Sequence, residues 1–305
     1  MRRVMRVLTA GVAVAAAGLC SMARAGEPMT IAQYMALSGP SPSAHVAYGP
    51  APLQYVELFV PPGRGPFPVA VLIHGGCFTN QYQGMPQMRG MAGALAARGV
   101  AVWSIEYRGV DTLGGGYPGT FLDVRAGLDL LKQQARARHL DTSRLIIVGH
   151  SAGAALALWA AGRARLPRSS PLYEPRPLPL PIREVVALGG TGDLRAAAAG
   201  LKKRCSVEAA QITGAPSQER PNVYRDTTGL ALTPNGSRTV LINGDQDVNT
   251  TPAEAAAYAA RVRARGDAAE TLVLPAASHF DEVAVTSPGW ALVEPVILQA
   301  LGVRP

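Results

Sequence analysis

The chain has 305 residues, 48% of them hydrophobic and 16% charged, with a formal net charge of +8, a size and composition within what one α/β sheet supports. The positive excess is spread over helix-like stretches such as Arg136-Ala137-Arg138 and Arg261-Val262-Arg263. No Lys/Arg run is interleaved with aromatics, so nucleic acid is excluded as an expected partner.

The chain opens on the basic Met1-Arg2-Arg3-Val4-Met5-Arg6, continues through an apolar stretch at 7–19 and reaches Ala23-Arg24-Ala25, a small-x-small cleavage pattern. The apolar stretch falls short of the roughly 20 residues a membrane span needs. Residues 1–25 are therefore predicted to be a secretory signal peptide, and the protein to be periplasmic or secreted. Leu19 stands before Cys20 where a lipoprotein signal carries a small residue, and Arg2-Arg3 lacks the flanks of a twin-arginine signal. No other stretch is long enough to span a bilayer, so no stable membrane anchor is expected. Cleavage before Gly26 removes Arg2, Arg3, Arg6 and Arg24 and no acid, lowering +8 to +4.

Beyond that point, strand-like runs at 55–60, 69–73, 100–106, 145–148, 185–188, 240–243 and 271–274 alternate with helix-like stretches at 88–98, 121–138, 152–163, 253–265 and 290–301. Alternation implies right-handed crossovers, a mainly parallel central sheet and helices on both faces. Residues 26–305 are predicted to form a single α/β domain. Two stretches break the alternation: 166–182, with six prolines, and 205–234, polar and turn-rich. Insertions at strand C-terminal ends build lids and pockets in such sheets, so both are expected to be lid-like.

Three strand ends carry chemistry. Arg144-Leu145-Ile146-Ile147-Val148 gives way through Gly149-His150-Ser151-Ala152-Gly153 to an Ala/Leu-rich helix, the setting of a nucleophile elbow. Gly149 and Gly153 let the arms of a strained turn pass closely and leave the Ser151 hydroxyl exposed. Glycine is common here, 33 in 305, so context must carry the pattern. The expected order after such a serine is an acid and then a histidine. Of five histidines, at 45, 74, 139, 150 and 279, only His279 follows Ser151. It stands in a loop after the strand-like run at 271–274, the place for a general base. The acid should follow a later strand, and Thr239-Val240-Leu241-Ile242-Asn243 ends in Gly244-Asp245-Gln246-Asp247. Asp245 and Asp247 are both candidates; Asp247 is favoured because it lies further past the strand end, leaving Asp245 as a turn former. Thr251-Pro252-Ala253-Glu254 then reads as a capping box opening a helix.

An oxyanion needs amide donors. The residue after the nucleophile, Ala152, supplies one, and Gly76 and Cys77, in His74-Gly75-Gly76-Cys77 after the buried run Pro68-Val69-Ala70-Val71-Leu72-Ile73, are expected to supply others. His74 reads as a structural histidine that pins this loop.

These motifs, with Ile105-Glu106-Tyr107-Arg108, Tyr117-Pro118-Gly119-Thr120-Phe121-Leu122-Asp123-Val124 and Ser278-His279-Phe280, stand in this order over residues 48–302. In this the chain resembles α/β-hydrolase-fold esterases, in the branch shared by kynurenine-formamidase-like, feruloyl-esterase-like and prolyl-oligopeptidase-type catalytic domains. The resemblance implies a Ser151, Asp247, His279 triad working without metal or organic cofactor. Three positions depart from the pattern: Phe78 replaces a usual Trp, Gly153-Ala154-Ala155 replaces a second Gly and a His, and Asp281-Glu282-Val283-Ala284 lacks an acidic-Pro turn.

The exported chain keeps Cys77 and Cys205, and two thiols left in an oxidising compartment are predicted to pair, the alternative being a free Cys77 that packs as a small buried residue beside the elbow. The bond would tie the oxyanion loop to the segment after residues 185–188. Phe78, Tyr173 and Tyr224 are the candidate pocket aromatics for a small-molecule ester substrate. The expected activity is a carboxylesterase type of serine hydrolysis through an acyl-enzyme. An arylformamidase or peptidase acting on amides, and a catalytically silent binding protein on the same fold, are the alternatives.

Overall fold

The computed structural model describes residues 27–175 and 180–304. The signal peptide expected at 1–25 and part of the proline-rich stretch lie outside the described residues. The chain runs α1 (Ile31–Met35), β1 (Ala44–Ala47), β2 (Tyr55–Phe59), β3 (Phe67–Ile73), α2 (Met85–Ala97), β4 (Ala101–Ile105), α3 (Gly119–Gln134), β5 (Leu140–His150), α4 (Ala152–Gly162), β6 (Glu184–Leu188), α5 (Leu194–Gly200), α6 (Ala209–Thr213), α7 (Tyr224–Thr227), β7 (Arg238–Gly244), α8 (Pro252–Ala264), β8 (Ala269–Leu274) and α9 (Trp290–Ala300). Eight strands form one sheet in the order β1-β2-β4-β3-β5-β6-β7-β8. The β1/β2 and β2/β4 pairs are antiparallel and the others parallel. All seven predicted strands are present; the sequence reading missed β1, a half-exposed edge strand with no continuous apolar run.

Period-two alternation splits the strand residues between two cores. Val69, Val71 and Ile73 of β3 join Phe121, Val124 and Leu128 of α3, Trp159 of α4 and Tyr258 of α8 on one face. Ala70 and Leu72 face the other way, onto Met88 and Met91 of α2 and Val293 and Ile297 of α9. Helix α4 is buried at ten of its eleven positions, because it is apolar all round and lies under α3 and the segment around Leu230 and Leu232. This rigid central helix begins one residue after Ser151.

Local sequence rules set the ends of the site-bearing loops. Thr251 caps α8 by accepting from Glu254 N at 3.3 Å, while Glu254 Oε2 accepts from Thr251 N at 2.8 Å, the reciprocal capping box. The β4–α3 connection is held by Arg108, whose Nε and Nη2 donate to the two oxygens of Asp123, each at 2.8 Å. Such bidentate pairing fixes orientation as well as distance. Among the described residues no helix is long and apolar enough to cross a membrane.

Candidate active site

Ser151 ends the strand-to-helix turn at φ 53° and ψ −118°, a conformation that costs on the order of 1–3 kcal/mol and persists only where the surroundings impose it. They do so here. A Cβ at Gly149 would stand 2.3 Å from Gly153 O, and one at Gly153 would stand 2.1 Å from Ile73 O, so neither position admits a side chain. Ser151 N donates to Leu188 O at 2.8 Å, locking the turn to the end of β6.

His279 lies in the loop after β8, and its Nδ1 is 2.9 Å from Asp247 Oδ2. Asp247 Oδ1 accepts from the amides of Asn249 at 2.6 Å and Thr250 at 3.0 Å. Burial alone would push the Asp247 carboxyl up. The hydrogen bond and charge of His279, with the two amides, outweigh burial and hold it below the ordinary carboxylate range. Asp245, the other candidate acid, is exposed and accepts from Ala277 N at 3.2 Å. The His279 backbone is held by His150, whose Nε2 lies 3.0 Å from His279 O. Burial, then the adjacent His279, depress the His150 imidazole to about 3, so it is neutral and donates from Nε2.

Ser151, His279, Gly76, Cys77, Phe78 and Ala152 line one cavity of about 180 Å³. Gly76, Cys77 and Phe78 all have positive φ, at 107°, 58° and 58°, which curls the loop so that its closing bond runs from Thr79 N to Gly76 O at 2.8 Å. The Cys77 amide takes no part in that bond. Ala152, the first residue of α4, has no intrahelical acceptor for its own amide. His74 anchors the loop from beneath: it is fully buried, stacks on Tyr107 with ring centroids 4.3 Å apart, and places Nε2 2.7 Å from Glu106 Oε1 and Nδ1 2.7 Å from Gly75 O. Burial disfavours its charged form, but Glu106 and the Gly75 carbonyl prevail and raise the imidazole above its usual range. The Ile105-Glu106-Tyr107-Arg108 motif is thus the support of the loop.

A disulfide joins Cys77 to Cys205, with Cα atoms 5.6 Å apart. It clamps the loop to a wall made of α5 and the π-helical turn Leu201–Cys205, which contribute Leu194, Ala197, Leu201 and Arg204 to the cavity. Arg204 is exposed and donates from Nη2 to Asn249 O at 2.8 Å.

Two predicted pocket residues belong elsewhere. Tyr173 packs against the core on the α3–α4 side, and Tyr224 lies under the Arg195 guanidinium, 4.6 Å from its ring centroid, beside a separate depression. Both sit in or next to long insertions, and turn-rich sequence does not say which wall a loop tyrosine meets. Of those insertions only Cys205 is among the described lining residues. The aromatics that do line the cavity are Phe78, Tyr34, Tyr82 and Phe280. Tyr34 comes from α1, which sequence reading missed although Thr30 and Gln33 form a capping box there. Among the described residues, the cluster with metal-ligand spacing is His150, His279 and Glu282, and it shares His279 with the Asp247 hydrogen bond.

Residues 56–261 match the model of the BD-FAE family. No curated protein sequence matches the chain. Among solved structures, esterase B from Lactobacillus rhamnosis superposes with a TM-score of 0.73 at 19% identity, covering 89% of each chain. LipW, an esterase from Mycobacterium marinum, gives 0.63 at 20% identity over 85% of this chain and 79% of its own. A truncated carbohydrate esterase from gut microbiota gives 0.66 at 16% identity over 87% and 98%. The chain belongs to the BD-FAE family, and its fold is the α/β-hydrolase fold of these esterases.

Proposed function

We propose that the protein is an exported serine hydrolase that cleaves esters of short acyl groups through Ser151, His279 and Asp247. The observation that carries the reading is the Asp247–His279 hydrogen bond delivered to the same cavity as a serine held at positive φ. His279, fixed by Asp247 as the tautomer protonated on Nδ1, accepts the Ser151 proton on Nε2 as Oγ bonds to the substrate carbonyl carbon. The amides of Cys77 and Ala152, with that of Gly76, stabilise the oxyanion. As it collapses, the bond to the alcohol oxygen breaks and His279 returns the proton to that oxygen. Water, deprotonated by His279, then cleaves the acyl-enzyme and restores Ser151.

Support for a short acyl group comes from the cavity, whose 180 Å³ is below the roughly 300–1,000 Å³ of drug-sized pockets. Esterase B, similar in fold, has been crystallised inhibited by a tributyrin phosphonate, which is consistent with this size class. Export is supported by the Cys77–Cys205 disulfide, since such bonds persist in oxidising compartments. The test is steady-state hydrolysis of aryl acetate, butyrate and octanoate beside an aryl formamide. Preference for the two short esters is expected; faster turnover of the formamide would replace the esterase reading with an amide-cleaving one.

A further inference from the structure

Behind the Asp247–His279 pair lies a third carboxyl group that the reaction above does not use. Glu282, three residues past His279, has no exposed surface. Its Oε1 accepts from Gly244 N at 2.8 Å, whereas its Oε2 is buried without a protein donor. A Cβ placed on Gly189 would stand 2.2 Å from Glu282 Oε2 and 2.7 Å from His279 Nδ1, so oxygen and imidazole meet over the same point at the end of β6. One carboxyl oxygen of Glu282 and one ring nitrogen from each of His279 and His150 lie within 4.8 Å of one another.

Among the described residues, the titratable groups that face Glu282 are Asp247 from the loop after β7, Asp281 and His279 from its own loop, and His150 from the end of β5. A carboxylate there would be fully desolvated, flanked by two other acids and served by one amide. Buried carboxyl groups in that situation neutralise. We propose that Glu282 is a positioning residue: a neutral carboxylic acid whose Oε2 hydroxyl donates to the Asp247 carboxylate and fixes, without adding charge, the acceptor that orients His279. The strap is economical in connectivity, because Oε1 holds the amide of Gly244 and Oε2 the side chain of Asp247, the two ends of one short loop. Burial and then the Asp247 charge hold the Glu282 carboxyl well above the ordinary carboxylate range. Neutrality matters to the proposed mechanism, on which this inference rests. A second negative charge beside His279 would stabilise its imidazolium and keep the general base protonated to higher pH.

The test pairs Glu282→Gln, which keeps a neutral group with an acceptor and a donor, with Glu282→Met, which keeps the bulk and loses both. The Gln variant is expected to retain kcat/KM within about threefold, with the acid limb of its pH profile unmoved, while the Met variant loses about tenfold or more in kcat at little change in KM. A fall of the acid limb by about one pH unit in the Gln variant would show that Glu282 was ionised and would overturn the proposal. Equal activity of the Met variant and wild type would overturn it by reducing Glu282 to packing. Infrared spectroscopy of the wild-type chain, with glutamate carboxyl groups labelled with carbon-13, reads the protonation state independently of turnover, and loss of the band in Glu282→Gln assigns it to Glu282 among the glutamates. A carboxylic-acid carbonyl band persisting near neutral pH is expected, and its absence would refute neutrality. Failure of wild type to hydrolyse any ester would instead remove the esterase reading and leave the infrared result standing.

Discussion

Replacing Cys205 by Ala cuts the tie between the oxyanion loop and the cavity wall while leaving Ser151, Asp247 and His279 untouched. The bridged cysteines are 128 residues apart, and the chain-entropy relation for a loop of that size gives about 5 kcal/mol of stabilisation, above the roughly 2–4 kcal/mol that disulfides commonly deliver. A loss of about 2–5 kcal/mol is therefore expected in urea unfolding, with a larger m-value because the unfolded chain without the cross-link is more expanded. The catalytic consequence has a separate origin. Cys77 sits at φ 58°, and its amide is one of the proposed oxyanion donors. Deleting such a donor costs roughly 10²–10³ in kcat, so loosening one is expected to cost about 10–100-fold, mainly in kcat. The assay is steady-state ester hydrolysis by wild type and Cys205→Ala, each with and without a thiol reductant. Reductant should bring wild type down to the level of the variant and leave the variant unchanged. Lower stability with an unaltered kcat would refute the link between the disulfide and the oxyanion site.

Asp247→Asn is expected to lower kcat by roughly 10³–10⁴-fold by replacing the carboxylate that sets the His279 tautomer with an amide that can also donate, whereas Asp245→Asn stays within about threefold of wild type in the same assay. Gly153→Ala drives a Cβ to 2.1 Å from Ile73 O, and thermal unfolding should show a loss of about 3 kcal/mol or no folded protein. His150, depressed to about 3 when folded, binds its proton more readily in the unfolded chain, whose value is near 6.5. Its contribution to stability is therefore complete above about pH 7.5 and falls as pH drops through 6.5 toward 3, by about 2 kcal/mol at pH 5. Chemical denaturation across pH should show this slope in wild type and lose it in His150→Asn. The lowered Asp247 adds a second loss with the same sign in a more acidic window, since a depressed carboxyl stabilises above its unfolded value and stops doing so as pH falls through its folded one.

The parallel sheet was legible because its strands are continuous apolar runs between helix-length segments, and the elbow because the glycines at 149 and 153 have no substitute at 2.1–2.3 Å approaches. Chain order and strand ends lead to His279 and to the loop that carries both Asp245 and Asp247, of which Asp247 makes the contact with His279. What escaped was built from weaker signals. Helix α5 opens on Asp193, whose side chain accepts from the amides of Arg195 and Ala196, a cap visible in the sequence but followed by only a short alanine run. Its consequence, a cavity wall of Leu194, Ala197 and Leu201, was assigned to longer insertions instead. Tyr173 and Tyr224 were misplaced because a loop tyrosine carries no period from which a facing can be read. Glu282 was noted only as a departure from a family pattern; its burial depends on Gly189 and Gly244, which lie 93 and 38 positions upstream of it and become neighbours only when β6 and β7 pair.

The central claim is that Ser151 is the nucleophile, and the most direct measurement is covalent labelling of the purified protein by a fluorophosphonate, with the adduct located by peptide mass mapping and Ser151→Ala treated in parallel. A single adduct on Ser151, with both labelling and aryl-ester turnover lost in the folded variant, is the expected result. Labelling at another residue, or turnover retained by Ser151→Ala, would contradict the account.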